Sequence, residues 1–118
     1  MYNPQNAKES AQLPQDAIVE GTISKVQDGK VKDFVLDTSK WTGDVNQPCI
    51  NVTAEVTNKD KKIEVSQVFT YNDNNGVTEY APKSNMGKFV KKYGKMPQVG
   101  VVVKISTNSD GFGKFKLD

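Results

Sequence analysis

The chain has 118 residues, with 16 cationic and 14 acidic side chains, a formal net charge of +2 and a hydrophobic fraction of 36%. That length buries a core in one domain without disulfide or metal staples. Every cation is lysine, histidine is absent and Cys49 is the lone cysteine, which removes imidazole acid–base chemistry, guanidinium forks, intrachain disulfides and a cysteine-held structural zinc; the composition argues against an enzyme and requires no cofactor or metal.

Residues 1–16 are polar, carry Pro4 and Pro14 and keep no period, so they read as a flexible arm, with 17–118 as the single domain. They also lack the basic-then-apolar order of a secretory leader, and no apolar run nears the roughly 20 residues of a membrane span; a cytoplasmic location is the expectation. From Ala17 to Val26 the apolar residues alternate until Val26 breaks phase. This predicts a strand with a bulge, and Gly21 inside it predicts a bend or a close backbone approach. Asp28-Gly29 reads as a turn into a long connection that closes before Pro48. Within it, Val31 to Asp37 alternates and predicts a short strand with Phe34 and Leu36 on one face. A polar loop follows, bearing Lys40, the unique Trp41 and Val45. Asp28, Asp33, Asp37 and Asp44 fall in the same connection and are the candidate carboxylates for a magnesium-dependent nuclease, but they match no recognised metal-binding pattern.

Cys49 to Asn58 is the cleanest strand, with Ile50, Val52, Ala54 and Val56 alternating against Asn51, Thr53, Glu55 and Thr57. Lys62 to Tyr71 returns beside it, with Val68 out of phase and a second bulge expected near Ser66-Gln67. Asn75-Gly76 predicts a tight hairpin returning through Val77 to Ala81, with Tyr71 and Tyr80 as a cross-strand pair. The asparagine run there is not a calcium loop, because Tyr71 and Pro82 stand where the end ligands belong. Ser84 to Gly94 is the one clear helix. Ser84 stands at its N-cap, Met86, Phe89, Val90 and Tyr93 form its apolar stripe, Gly94 follows its end, and Lys88, Lys91, Lys92 and Lys95 lie mostly on the other side. Val101 to Ser106 and Phe112 to Leu117 are the last two strands, joined by a turn at Asn108 to Gly111. Parity puts Phe115 and Leu117 inward and Phe112, Lys114 and Lys116 outward. Asn51-Val52-Thr53 also spells a glycosylation sequon, read here as strand chemistry.

The order strand, long loop, strand, strand, helix, strand, short turn, strand is carried by Ala17–Val26, Cys49–Asn58, Lys62–Tyr71, Ser84–Gly94, Val101–Ser106 and Phe112–Leu117. It resembles the OB-fold single-stranded nucleic-acid-binding proteins, in particular their compact archaeal, viral and phage forms. The resemblance is one of element order over nearly the whole domain and includes no diagnostic motif. It implies a mainly β chain folded as a five- to seven-stranded OB-like Greek-key barrel with one helix between strands three and four; the same pattern also permits a small β-sandwich with a covering helix. It further implies non-sequence-specific binding of single-stranded DNA or RNA, of the kind used in DNA replication, across strands two and three and the loops beside them. On this chain those places hold Lys40, Trp41, Asn51, Thr53, Tyr71, Asn108 and Phe112, with Trp41 and Phe112 as the stacking candidates. Lys25, Lys32, Lys104 and Lys114 join Lys40 as the cations expected along the groove. The other class left open is a non-enzymatic protein-interaction or assembly module, with protein partners or self-association through the barrel edge or the Asn75 hairpin.

Overall fold

The structure, a computed structural model, describes residues 2–6 and 12–118. Its elements are β1 (Ile18–Lys30), the helical turn α1 (Val31–Phe34), β2 (Pro48–Asn58), β3 (Lys61–Thr70), β4 (Asn72–Asn74), β5 (Val77–Glu79), α2 (Asn85–Tyr93), β6 (Val102–Thr107) and β7 (Gly113–Phe115). Five strands form one antiparallel sheet in the order β3-β2-β1-β6-β7, while β4 and β5 make a separate hairpin. The sheet curls until β7 lies beside β3, where the Gln67 side-chain oxygen accepts the Phe115 N–H at 3.1 Å. The fold is therefore mainly β, a nearly closed five-stranded OB-like Greek-key barrel with α2 between its third and fourth strands, rather than a two-sheet sandwich. Among the described residues no helix is long and apolar enough to cross a membrane.

β1 serves both halves of the barrel, pairing with β6 through Ile18 to Thr22 and with β2 from Thr22 to Lys30. The bulge expected from the phase break at Val26 is present, as a register shift between Ile23 and Lys25, and it returns Val26 to the core alongside Ile23. Gly21 makes the expected close approach: a Cβ there would come within 3.1 Å of Val56 Cγ2 and 3.2 Å of the Glu55 carbonyl. Asp28-Gly29, by contrast, is not a turn. Gly29 pairs with Cys49 and Lys30 with Pro48, so β1 runs on beyond its expected end.

Alternating side chains of the five strands fill the barrel, and α2 completes the core. Ser84 caps the helix as its sequence predicts, its Oγ accepting the Gly87 N–H at 3.2 Å, and Gly94 ends it with φ +75°. Phe89 is fully buried, its ring centroid 5.7 Å from Phe69 on β3 and 6.5 Å from Phe115 on β7. Those two strands border the seam, so one helical side chain holds both of them from inside. Each such aromatic contact contributes about 0.5–1.5 kcal/mol beyond burial. Gly87 lets the helix sit that close, since a Cβ would lie 2.6 Å from the Pro82 carbonyl and nearer still to that of Ala81.

Three expectations are corrected. Val31–Asp37 is not a strand: Val31–Phe34 is a helical turn, with Asp33 accepting the Lys30 N–H at 2.9 Å and the Val31 and Lys32 N–H groups donating to Gln47 and Val45. Val31 is buried there while Leu36 is fully exposed, so Phe34 and Leu36 share no buried face. β3 has no bulge at Ser66-Gln67, because its pairing with β2 is continuous from Cys49↔Thr70 to Asn58↔Lys61. Val68 is simply outward, and Gln67 occupies the inner parity where its amide closes the seam. Of the arm expected over 1–16, residues 1 and 7–11 lie outside the described residues, and Pro4–Asn6 forms a single 3-10 turn. The stretch from Gln12 to Asp16 is seated on the barrel. Leu13 is 6% exposed within the core, the Thr107 hydroxyl donates to the Pro14 carbonyl at 2.6 Å, and Asp16 N–H donates to Asn108.

Leu13→Ala accordingly lowers the unfolding free energy by about 2–4 kcal/mol, as for other buried leucines. Urea denaturation followed by far-UV circular dichroism measures it, and an unchanged midpoint would return this stretch to the arm.

Candidate functional site

The strand register fixes which side chains share the outer face of β1, β2 and β3. Three rows cross it: Lys25–Thr53–Ser66, Gln27–Asn51–Val68 and Gly29–Cys49–Thr70. Lys25 is exposed and Asn51 half-buried, whereas Thr53 is only 6% exposed and its hydroxyl lies 2.8 Å from that of Ser66. Thr53 is therefore bonded within the sheet and cross-links β2 to β3. Cys49 has outward parity yet is fully buried, because the connection through α1 folds over this end of the three strands. Val31 and Cys49, both outside the main core, are the buried residues beneath it. Burial pushes the Cys49 thiol up, and the carboxylates of Asp33 and Asp28 add to that.

The connection 31–47 holds Lys32, Lys40 and Trp41. Both lysines are exposed. Trp41 is half-buried, with its N–H bonded to the Thr38 carbonyl and its indole against its own loop, where a Cβ on Gly43 would stand 3.2 Å from Nε1. Each of the four candidate aspartates has an acceptor role. Asp28 takes the Tyr71 hydroxyl at 2.7 Å, Asp33 the Lys30 N–H, Asp37 the Ser39 N–H at 3.2 Å, and Asp44 the Asn46 N–H at 2.9 Å. Asp33, Asp37 and Asp44 serve their own turns and Asp28 holds Tyr71 across the sheet; among the described residues no cluster of three or more carboxylate or thiol groups is arranged to hold a metal.

Tyr71 follows β3 and packs against the core, with its hydroxyl committed to Asp28 instead of its ring to Tyr80. That hydrogen bond, then burial and the Asp28 charge, push its pKa up to about 12. Asn75 and Gly76 both adopt positive φ, 52° and 85°, which gives the tight hairpin expected of that pair. The hairpin from Asn72 to Glu79 is exposed throughout.

At the other end of the face stands the β6–β7 turn. Asn108 builds it: its Oδ1 accepts the N–H groups of Asp110 at 2.9 Å and Phe112 at 3.0 Å, and its own N–H donates to the Phe112 carbonyl at 3.1 Å. Asn108 is thus a positioning residue, and what it positions is a Phe112 side chain 74% exposed to solvent. Phe112 borders a groove of about 370 Å³ shared with Leu13, Ile63, Ser66, Glu64 and Asp110. Ser66 links that groove to Thr53 and so to Lys25.

The residues named from sequence therefore fall into three places. Lys25, Asn51 and Thr53 share the outer face, continuous through Ser66 with the Phe112 turn; Lys32, Lys40 and Trp41 lie on the connection that covers the far end of the face. Lys104 and Lys114 are on β6 and β7, and Lys104 is ion-paired with Glu20 at 3.2 Å across the β1–β6 pair. Gln27, Ser66 and Val68 belong to the face but were not singled out, because only the register puts them beside Asn51 and Thr53. The face also carries Glu55 directly opposite Glu64, with Lys62 Nζ 4.0 Å from Glu55. Comparison with protein-family models, curated proteins and solved structures finds no match to this chain.

Two measurements follow from the buried thiol and the bonded phenol. Cys49 stays unmodified by DTNB in the native protein at neutral pH and reacts fully once urea unfolds it; rapid native modification would contradict its burial. The Tyr71 pKa is raised from 10.0 to about 12, so the unfolded chain releases this proton first and the stabilisation, complete below pH 10, is lost as pH climbs toward 12. Wild type exceeds Tyr71→Phe in stability by about 0.5–1 kcal/mol at neutral pH, as for one solvent-accessible hydrogen bond, and the gap closes across that range in urea melts.

Proposed function

We propose that the chain binds single-stranded nucleic acid without sequence specificity, its bases against the outer face of β1–β3 and its backbone on lysine. The observation that carries this reading is Phe112, a 74% exposed ring on a turn tied by Asn108 through three hydrogen bonds. A large apolar side chain presented to water on a hydrogen-bonded turn costs solvation free energy and gains little for the core, whereas a flat, accessible ring is what base stacking uses. Trp41 offers a second, half-buried indole on the connection at the other end of the face. Lysine as the only cation neutralises phosphates as a point charge and reads no base edge by a bidentate fork, which suits binding without sequence preference. Kinship with the OB-fold single-strand binders, a cytoplasmic location and service in DNA replication belong to the same proposal.

Titration of labelled oligo-dT at several salt concentrations gives a log–log slope of roughly −0.7 for each phosphate neutralised, and tighter binding than to duplex of equal length. Phe112→Ala weakens binding by about 1–3 kcal/mol, the value of one stacked base. Intrinsic fluorescence falls on titration and Trp41→Ala removes the change. No binding at low salt would overturn the proposal and leave a protein-interaction module, with the exposed β4–β5 hairpin as its first candidate surface.

A further inference from the structure

The charges are unevenly divided along the chain. Residues 1–79, which include β1–β3, their long connection and the β4–β5 hairpin, hold eight lysines and twelve acidic residues. Residues 80–118, which form α2, β6 and β7, hold eight lysines and two acidic residues, and no acid stands anywhere between Tyr80 and Ser109. A fold-wide charge of +2 thus conceals a segment of +6 beside one of −4.

α2 concentrates the excess. Lys88, Lys91, Lys92 and Lys95 recur at i, i+3, i+4 and i+7, all exposed, and Lys83 precedes the N-cap. Helix stability accounts for only part of this pattern: Lys91 and Lys92 stand in the last turn, where the helix dipole favours cations, whereas Lys83 and Lys88 do not. Like charges three and four residues apart repel, and no acid occupies the first turn, so Lys83 and Lys88 face the positive end of the helix dipole. Among the described residues Lys83, Lys88, Lys91 and Lys95 make no ion pair.

Tyr93 joins this helix to the basic strands. Its hydroxyl donates to the Lys116 carbonyl at 2.7 Å and accepts the Lys104 N–H at 3.1 Å, while Lys92 Nζ donates to the Asp118 carbonyl at 2.8 Å. Tyr93 and Lys92 thus seat α2 against the main chain of Lys104, Lys116 and Asp118; the Lys104 and Lys116 side chains have ion-pair partners, Glu20 and Asp118, that are exposed and weak by position.

We infer that the α2–β6–β7 side is the docking surface for a phosphate chain, the backbone of the bound strand where it continues past the outer face of β1–β3. The identity of that strand rests on the function proposed above; the surface itself rests on charge complementarity. A polyanion fits the segment of +6 and is repelled by a β2–β3 face on which Glu55 and Glu64 stand opposite one another.

The test compares two triple variants, Lys88/Lys91/Lys95→Gln and Lys25/Lys32/Lys40→Gln, with wild type. Each is titrated with oligo-dT and, separately, with inorganic polyphosphate over a range of salt. Compared with the other triple, the helix variant flattens the oligo-dT salt slope more, by about 2, the share of three phosphates, and it keeps its thermal midpoint, because relieved like-charge repulsion offsets the lost dipole interaction of Lys91. It also loses polyphosphate affinity. An unchanged slope in the helix variant, or a larger loss in the other triple, overturns the inference while leaving single-strand binding intact. Wild type that binds polyphosphate through these lysines but no oligo-dT keeps the phosphate surface and overturns the single-strand reading. Wild type that binds neither overturns both.

Discussion

β1 is hydrogen-bonded to β6 through its first residues and to β2 through the rest, and a strand that serves two neighbours in one curled sheet has to change direction between them. Two local features allow that change. Gly21 removes a side chain where Val56, the Glu55 carbonyl and Ile105 close in, and the bulge between Ile23 and Lys25 supplies the extra residue that restores phase for Val26. With β1 bent, β2 and β3 are carried to one side, β6 and β7 to the other, and the barrel's remaining gap falls between β3 and β7. That gap is short enough for one amide side chain, Gln67, and one helical ring, Phe89, to hold it.

The same bend sets out the surface on which function is proposed. Because β2 and β3 pair in continuous register, their outer residues align in rows with β1, and the two connections that flank those rows come from distant parts of the chain. Each connection is tied locally, by aspartates in 31–47 and by Asn108 in the β6–β7 turn. The outcome differs between them. Trp41 rests partly on its own loop beside Gly43, whereas the Asn108 turn aims Phe112 at solvent. In the second case the hydrogen bonds fix the main chain of the turn and leave the ring in water, where it contributes little burial free energy.

Charge follows a different division from the aromatic residues. The outer face carries acids as well as lysines, while α2 and the closing hairpin carry lysine almost alone. A chain of modest net charge thus presents one side that carries the exposed Phe112 ring and another on which lysine predominates. Tyr93 ties the second side together through backbone groups of Lys104 and Lys116, so the basic surface is a consequence of core packing and not of loop placement.

Much of this was legible in the residues. The cap at Ser84, the stripe Met86–Phe89–Val90–Tyr93, the Asn75-Gly76 hairpin and the alternation of β2 are short-range features, set by dihedral preference and by which faces are apolar, and they emerge as read. The spacing Val31, Phe34, Val35 also contained the helical turn α1, since i, i+3, i+4 competes with alternation over so short a stretch. What pattern alone did not decide were matters of long-range partnership. Gln67 in a core position resembles a phase error until the Phe115 N–H is placed beside it, and Leu13 resembles an arm residue until β6 and β7 supply its pocket. Asp28-Gly29 resembles a turn until β2 pairs with it. The sequence by itself determined the capped helix, the Asn75-Gly76 hairpin, the alternating strands and their order along the chain, and the uneven charge, because those depend on residue types and on neighbours within a few residues. Tertiary structure alone decided that Thr53 and Asn108 are bonded within the fold, that Tyr71 is held by Asp28, and that Phe112 is left in water, because each outcome depends on a partner from another strand or on the geometry of a closed turn.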